Sequence, residues 1–326
     1  MGDVRVQPAV DPARRDRFWA YVALTKPRII ELLLVTAVPT MFLAARGLPG
    51  VVTIIAVLLG GTCAAAGANT FNSLYDRDID EKMHRTSGRP AVRGLVSIRA
   101  GILQGILLSV ASAAVLALLT NVLAAALALL AIAMYAVGYT MLLKRRTSQN
   151  IVWGGAAGCM PVLIAWSAVT GSLAWTPVVL FLVIFFWTPP HYWPLAIKFR
   201  DQYSAAGVPM LPSVRPLEHV AAQIVIYTWV TVLVSLALIP LAGMGLVYTI
   251  GAVGLGAMFL VMAYQVQRAI HRAGSDGSAR LPSTSPNASS ESSVESISMR
   301  LFHGSILYLA ALFLLIAVDP FLHLTA

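Results

Sequence analysis

The chain has 326 residues and a formal net charge of +9, yet only 11% of its residues are charged and 58% are hydrophobic. Soluble domains carry about 25% charged residues, so this composition excludes a soluble globular protein and indicates an all-α, polytopic membrane bundle. The excess of positive charge does not point to nucleic acid, because it is gathered in loops between apolar spans, where it reports membrane topology.

In chain order, residues 1–25 come first, with Arg5, Arg14, Arg15 and Arg17. They lack the short apolar core and cleavage site of a secretory signal, so a basic cytoplasmic segment lying on the membrane surface is expected. About nine apolar spans follow, near 28–46, 51–75, 99–120, 122–143, 151–170, 175–196, 220–241, 246–267 and 301–322. Each approaches the roughly 20 residues that cross a bilayer as a helix. Strands are not expected, since alternation is absent and an open sheet cannot satisfy its backbone in lipid. Residues 26–272 are thus read as a membrane domain of eight helices. Residues 273–299, with ten serines and few large apolar side chains, are read as a disordered linker, and 300–326 as the domain's last helix. Cys63 and Cys159 lie inside apolar spans without metal-ligand spacing and read as packing residues.

Charge fixes the expected orientation. Of the 23 Lys and Arg residues, only Arg46 lies near a loop on the side opposite the N-terminus. The positive-inside rule then puts the N-terminus in the cytoplasm and the C-terminus outside.

Chemistry concentrates after the second span. Asn72, Asp76 and Asp80 are one helical turn apart, so their oxygen-bearing side chains form one stripe. Carboxylates crowded against hydrocarbon are costly unless a cation neutralises them. Mg²⁺ takes one or two carboxylates and keeps its other positions for water and phosphate oxygens, which this stripe matches. The alternative is an acidic helix end paired with Arg77, Lys82 and Arg85. Asp78 falls on another side of the helix. Arg85, Arg89 and Arg93 follow closely. They read either as a cytoplasmic anchor or, beside a metal, as a diphosphate cradle, since guanidinium groups grip phosphate in pairs of hydrogen bonds. Lys144-Arg145-Arg146, after the fourth span, are candidates to close over the same anion.

The loop after the sixth span has a similar outline. Asp201 is a candidate catalytic carboxylate and ligand for a second metal, with Lys198 or Arg200 for a phosphate, and Pro209 and Pro212 shape the loop. A solvated loop is the bland reading. Within the sixth span, His191 follows Trp187-Thr188-Pro189-Pro190. It reads as a haem contact or as part of an interfacial aromatic belt. Glu31 is a lone acid near a span end, with Arg28 as its candidate partner.

Several stretches together resemble the UbiA-type intramembrane prenyltransferases. They are Thr25 to Arg28, Asn72 to Asp80 with Arg85-Thr86 and Arg89-Pro90, Lys144 to Thr147 with Asn150, Trp187 to His191, and Tyr203 with Ala205 to Pro212. Leu301-Phe302, Ser305-Ile306 and Tyr308-Leu309 also fit. The resemblance covers roughly 20–272 and 298–320, and the Thr-Pro-Pro-His and Ala-Gly-Val-Pro-Met-Leu-Pro stretches point to the branch that farnesylates haem. It implies farnesyl diphosphate as donor, haem B as acceptor, haem O as product, Mg²⁺ as cofactor, a bacterial plasma membrane location and a link to oxidase-assembly proteins. In those terms Asn72, Asp76 and Asp80 hold metal. Arg85, Arg89, Lys144, Arg145 and Lys198 bind diphosphate, and His191 contacts haem. Relatives carry an acid just before the tyrosine of the second loop, where this chain has Gln202, which leaves Asp201 as that loop's only carboxylate. A quinone-precursor or other aromatic acceptor is the alternative within the same chemistry. An ion or proton transporter would require charge near the middle of several spans, which this sequence lacks.

Overall fold

A computed structural model of the chain describes residues 14–275 and 288–322. The helices are α1 (Arg14–Leu24), α2 (Pro27–Ala45), α3 (Val51–Tyr75), α4 (Arg77–Lys82), α5 (Ile98–Leu119) and α6 (Val122–Ala133), the last continuing as a π-helix over Met134–Leu143. Next come α7 (Asn150–Thr170), α8 (Trp175–Lys198), α9 (Arg200–Ala205), α10 (Leu211–Val214), α11 (Leu217–Ala242), α12 (Leu246–Ser275) and α13 (Ala288–Leu322). Among the described residues eight helices are long and apolar enough to cross a membrane, and α2 adds a shorter apolar stretch, Leu33–Ala45. The nine expected spans are these eight and α2.

Small residues let the first helices approach closely. A Cβ on Gly105 of α5 would come 2.6 Å from the Phe71 ring, and one on Gly60 of α3 would come equally close to Leu116. Ser112 Oγ donates to the Gly60 carbonyl at 2.7 Å, so a backbone approach is reinforced by an interhelical hydrogen bond. The larger core gathers where α7, α8, α11, α12 and α13 meet, around Trp193, Tyr248, Phe259, Tyr308 and Phe313. A second core joins α2, α3, α6 and α7. The last helix also packs against α2, closing the bundle. Outward side chains such as Leu107, Leu118 and Val122 are exposed, as a lipid-facing surface requires.

At one rim, Ile79 and Met83 of the loop after α3 pack against Tyr203, Val208 and Met210 of the loop after α8. The two loops therefore fold over the same mouth. Gly207, at φ +70, supplies the left-handed turn that reverses the second one.

The serine-rich stretch differs from its expected form. Residues 273–275 end α12, and 288–299 form the first turns of α13; 276–287 lie outside the described residues. The physical reason is a spacing that the serines obscure. Val294, Ile297, Ser298 and Leu301 recur at helical intervals and turn inward, while Glu295 pairs with Lys198 at 2.6 Å.

Candidate active site

Two helical hydrogen bonds bridge the turn at Asp76 that joins α3 to α4. The Asp76 N–H donates to the Asn72 carbonyl at 3.0 Å, and the Asp80 N–H to the Asp76 carbonyl at 2.8 Å. The one-turn spacing of the sequence is thus kept in space. Asn72, Asp76 and Asp80 are 3%, 0% and 3% exposed, all turned into the bundle. Asp78 takes the outer flank, as its phase on the helix dictates; its side chain is 61% exposed.

Basic side chains converge on this stripe from three parts of the chain. Lys26, between α1 and α2, donates to Asn72 Oδ1. Lys144, at the end of the π-helix, pairs with Asp76 Oδ2, which also accepts from Asn72 Nδ2 at 2.7 Å. Arg89 Nη1 donates to both oxygens of Asp80, at 2.8 and 2.6 Å. The π-helix makes the middle contact possible. Its wide turns bond the Lys144 N–H to the Tyr139 carbonyl five residues back, and Thr140 Oγ1 accepts from Asn72 Nδ2 at 3.0 Å.

Burial, and then the nearby charges of Arg89 and Lys144, lower the Lys26 ammonium to about 7. Three cations held this closely repel one another, so an added anion relieves the strain. The acid side offers a complementary vacancy in bonding. Asp76 Oδ1 is buried and accepts no hydrogen bond among the described residues; Arg145 Nη2 is 3.9 Å away. No group of three or more His, Cys, Asp or Glu side chains gathers among the described residues. The donor set is two carboxylates and an amide oxygen. That set fits Mg²⁺, which fills its remaining positions with water and phosphate.

Other expected site residues are placed less uniformly. Arg145 reaches the edge of the stripe but forms a two-point pair with Asp78 at 2.8 and 2.7 Å and lies over the Tyr75 ring. The Arg145 hydrogen bond holds the Asp78 carboxyl below its ordinary range. Arg85 sits 5.3 Å from the centre of the Phe199 ring, so it bridges the two loops rather than touching the acids. Tyr203 in turn meets Tyr192, with the hydroxyls 2.9 Å apart, and its burial pushes the phenol far above its usual range.

Two expected site residues stand apart from the stripe. The Asp201 side chain is 95% exposed, beside Arg200, because α9 starts in a register that turns it to the surface. The inward polar atom of that helix is Gln202 Oε1, buried without a hydrogen-bond partner among the described residues. Lys198 is engaged by Glu295 of α13 and so does not join the stripe. Arg28 and Glu31 are both exposed, with no ion pair between them among the described residues.

Lys26 is the site residue that the sequence reading left unassigned. Its sign was a lysine directly before Pro27, at the entry to an apolar helix. The backbone there is left-handed, at φ 52. Asn69 Nδ2 donates to the Thr25 carbonyl at 2.9 Å and Ser73 Oγ to the Leu24 carbonyl at 3.2 Å, so α3 itself aims Lys26 at Asn72.

Below the stripe lies an apolar cavity of about 140 Å³, lined by Leu33, Ala37, Val57, Ala64, Tyr135 and Pro161 among others. Asn69 and Tyr135 stand at its polar end. From Asn69 to Val57 the cavity follows α3 for about 18 Å of helical rise. A charged mouth over a dry, elongated pocket suits an amphiphile with an anionic head.

His191, on α8, is clamped between Trp187 and Phe302, with ring centroids 4.2 and 4.7 Å away. Its Nδ1 lies 2.8 Å from Ser305 Oγ on α13.

The model of the UbiA prenyltransferase family matches residues 33–279. A Protoheme IX farnesyltransferase from Kineococcus radiotolerans is 53% identical over 95% of this chain and 90% of its own length. One from Streptomyces avermitilis is 52% identical over 94% of this chain and 95% of its own length. Among solved structures, a UbiA homolog from Archaeoglobus fulgidus bound to GPP and Mg2+ superposes with a TM-score of 0.61 at 21% identity, covering 92% of this chain and all of that one. A digeranylgeranylglyceryl phosphate synthase reaches a TM-score of 0.66 at 15% identity, over 94% of this chain and 99% of its own. At these identities the structures show a shared fold.

Proposed function

The chain belongs to the UbiA prenyltransferase family, and from that premise we propose that it transfers the farnesyl group of farnesyl diphosphate to a vinyl group of haem B. The products are haem O and diphosphate. The relatives' shared name, at about half identity over nearly the whole chain, supports the acceptor. The observation that carries the donor chemistry is the convergence of Lys26, Arg89 and Lys144 on a buried amide and two carboxylates above an apolar cavity.

Mg²⁺ held by Asn72, Asp76 and Asp80 would supply charge neutralisation for the departing diphosphate. Lys26, Arg89 and Lys144 bind the same diphosphate oxygens and stabilise the charge that grows on them as the C1–O bond breaks. Arg145, at the rim, adds a further positive charge. The cavity walls hold the farnesyl tail and exclude water while C1 is electron-poor. The haem vinyl carbon then bonds to C1. Water adds to the vinyl-derived cation and loses a proton, leaving the hydroxyl of the product. His191 is the protein's contact with the acceptor porphyrin.

The helical bundle forms one membrane domain, with the last helix part of it. It lies in the bacterial plasma membrane, with the N-terminus in the cytoplasm and the C-terminus outside, in keeping with the placing of Lys and Arg. Haem-handling proteins of oxidase assembly receive the product. The test is to give purified protein in lipid nanodiscs farnesyl diphosphate and Mg²⁺ with haem B, or with a quinone precursor such as 4-hydroxybenzoate. Mass analysis should find the farnesyl group on haem. Prenylation of the quinone precursor alone would assign the chain another acceptor.

A further inference from the structure

The surroundings of His191 bear on where its proton resides. Ser305 Oγ lies 2.6 Å from the Phe302 carbonyl oxygen. A carbonyl can only accept, so a Ser305 hydroxyl that bonds it points its proton there. In that arrangement Ser305 Oγ is an acceptor toward His191 Nδ1, 2.8 Å away, and Nδ1 carries its own proton. In a neutral imidazole this leaves the lone pair on Nε2, which has no hydrogen-bond partner among the described residues. Stacking on Trp187 and Phe302 fixes the plane of the ring, and within that plane it is Nδ1 that meets Ser305.

We propose that Ser305, on the last helix, is a positioning residue for the acceptor side of the reaction: it holds His191 as the Nδ1–H tautomer and thereby offers the Nε2 lone pair to the metal centre of the incoming porphyrin. This rests on the reading of His191 as the acceptor contact. A lone pair discriminates by chemistry. It binds a Lewis-acidic iron and offers nothing to a metal-free ring, so it selects the metalloporphyrin. The same helix secures the arrangement through a second bond, from Trp187 Nε1 to the Ser305 carbonyl at 2.8 Å. That bond uses the backbone, so it survives a change of the Ser305 side chain and keeps α8 and α13 joined.

Two measurements on the full chain in nanodiscs test the inference. ¹⁵N solid-state NMR of histidine-labelled protein, assigned with His191→Ala, should show a protonated Nδ1 and an unprotonated Nε2 in the parent. Ser305→Ala should mix the two forms, and Ser305→Thr, which keeps a hydroxyl, should restore one. Titration with ferric protohaem, read in the Soret band, should show a histidine-ligand spectrum in the parent. Loss of a partner that orients a ligating histidine lowers metal affinity about 10- to 100-fold, so Ser305→Ala should weaken haem binding by about tenfold or more while leaving the KM for farnesyl diphosphate unchanged. Unchanged tautomer signals and haem affinity in Ser305→Ala would overturn the positioning role. A mixed tautomer in Ser305→Ala combined with normal haem binding by His191→Ala would instead remove His191 from the acceptor site, and the proposal with it.

Discussion

Replacing Asp76 with Asn removes a charge and almost no volume, so it isolates the electrostatics of the stripe. Asp76 is wholly buried, and its partner Lys144 is 13% exposed at the side chain. Without the carboxylate, Lys144 keeps a buried charge beside Lys26 and Arg89. Breaking a buried pair in this way costs about 3–5 kcal/mol. Catalysis should suffer separately, because loss of a preorganised group at a developing charge lowers kcat by about 10²–10³-fold. The double variant Asp76→Asn/Lys144→Gln separates the two effects. Removing both charges should recover roughly 1–3 kcal/mol relative to the sum of the single changes, while turnover stays lost. Stability is read by denaturant titration in detergent micelles, and turnover by chromatography of farnesylated haem. Near-parental turnover in Asp76→Asn would refute the role of the stripe. Strict additivity of the two stability losses would refute the pairing.

Other expectations follow from the same geometry. Lys26→Met should raise the KM for farnesyl diphosphate at least tenfold with a smaller effect on kcat, seen in steady-state kinetics. Because the folded-state value of Lys26 is about 7, below its ordinary 10.5, the unfolded chain holds more protons between those limits. This residue's contribution therefore makes stability rise with pH from about 7 to 10.5, and Lys26→Met should flatten that slope in pH-dependent unfolding. Asp201→Ala and Lys198→Ala should each cost less than about 1 kcal/mol of stability, since exposed pairs contribute little, and both should keep turnover, since neither side chain reaches the stripe; a loss of activity in either would bring the second loop back into the chemistry. Gly154→Ala places a Cβ 2.1 Å from the Tyr139 ring, which must shift within the π-helix. A stability loss of about 1–3 kcal/mol, with reduced turnover, is expected in thermal unfolding and activity assays.

The acid stripe was legible because its signal is local. Asn72, Asp76 and Asp80 need only helical periodicity to share a face, and the helical bonding through Asp76 preserves it. The spans were legible for the same reason, since length and apolarity are properties of contiguous sequence. The cationic lining was only half legible. Arg89 and Lys144 lie in basic loops that draw attention, whereas Lys26 reaches Asn72 through a left-handed backbone and a tertiary approach that no local pattern encodes. The outward placing of Asp201 was not legible, because α9 has six residues, too few for periodicity to show which side faces inward. The start of α13 was hidden by its serines, which lower apparent hydrophobicity while Val294, Ile297 and Leu301 keep the helical rhythm. The hydrogen bond between His191 and Ser305 joins residues 114 positions apart, so only the packed bundle reveals it.

A single measurement bears most directly on the stripe's chemistry: equilibrium binding of a non-hydrolysable farnesyl thiodiphosphate to the protein in nanodiscs, with and without Mg²⁺, for the parent chain and Asp76→Asn. Tight binding that depends on the divalent cation in the parent and is lost in the variant is the predicted result. Binding that ignores both the cation and the carboxylate would contradict it.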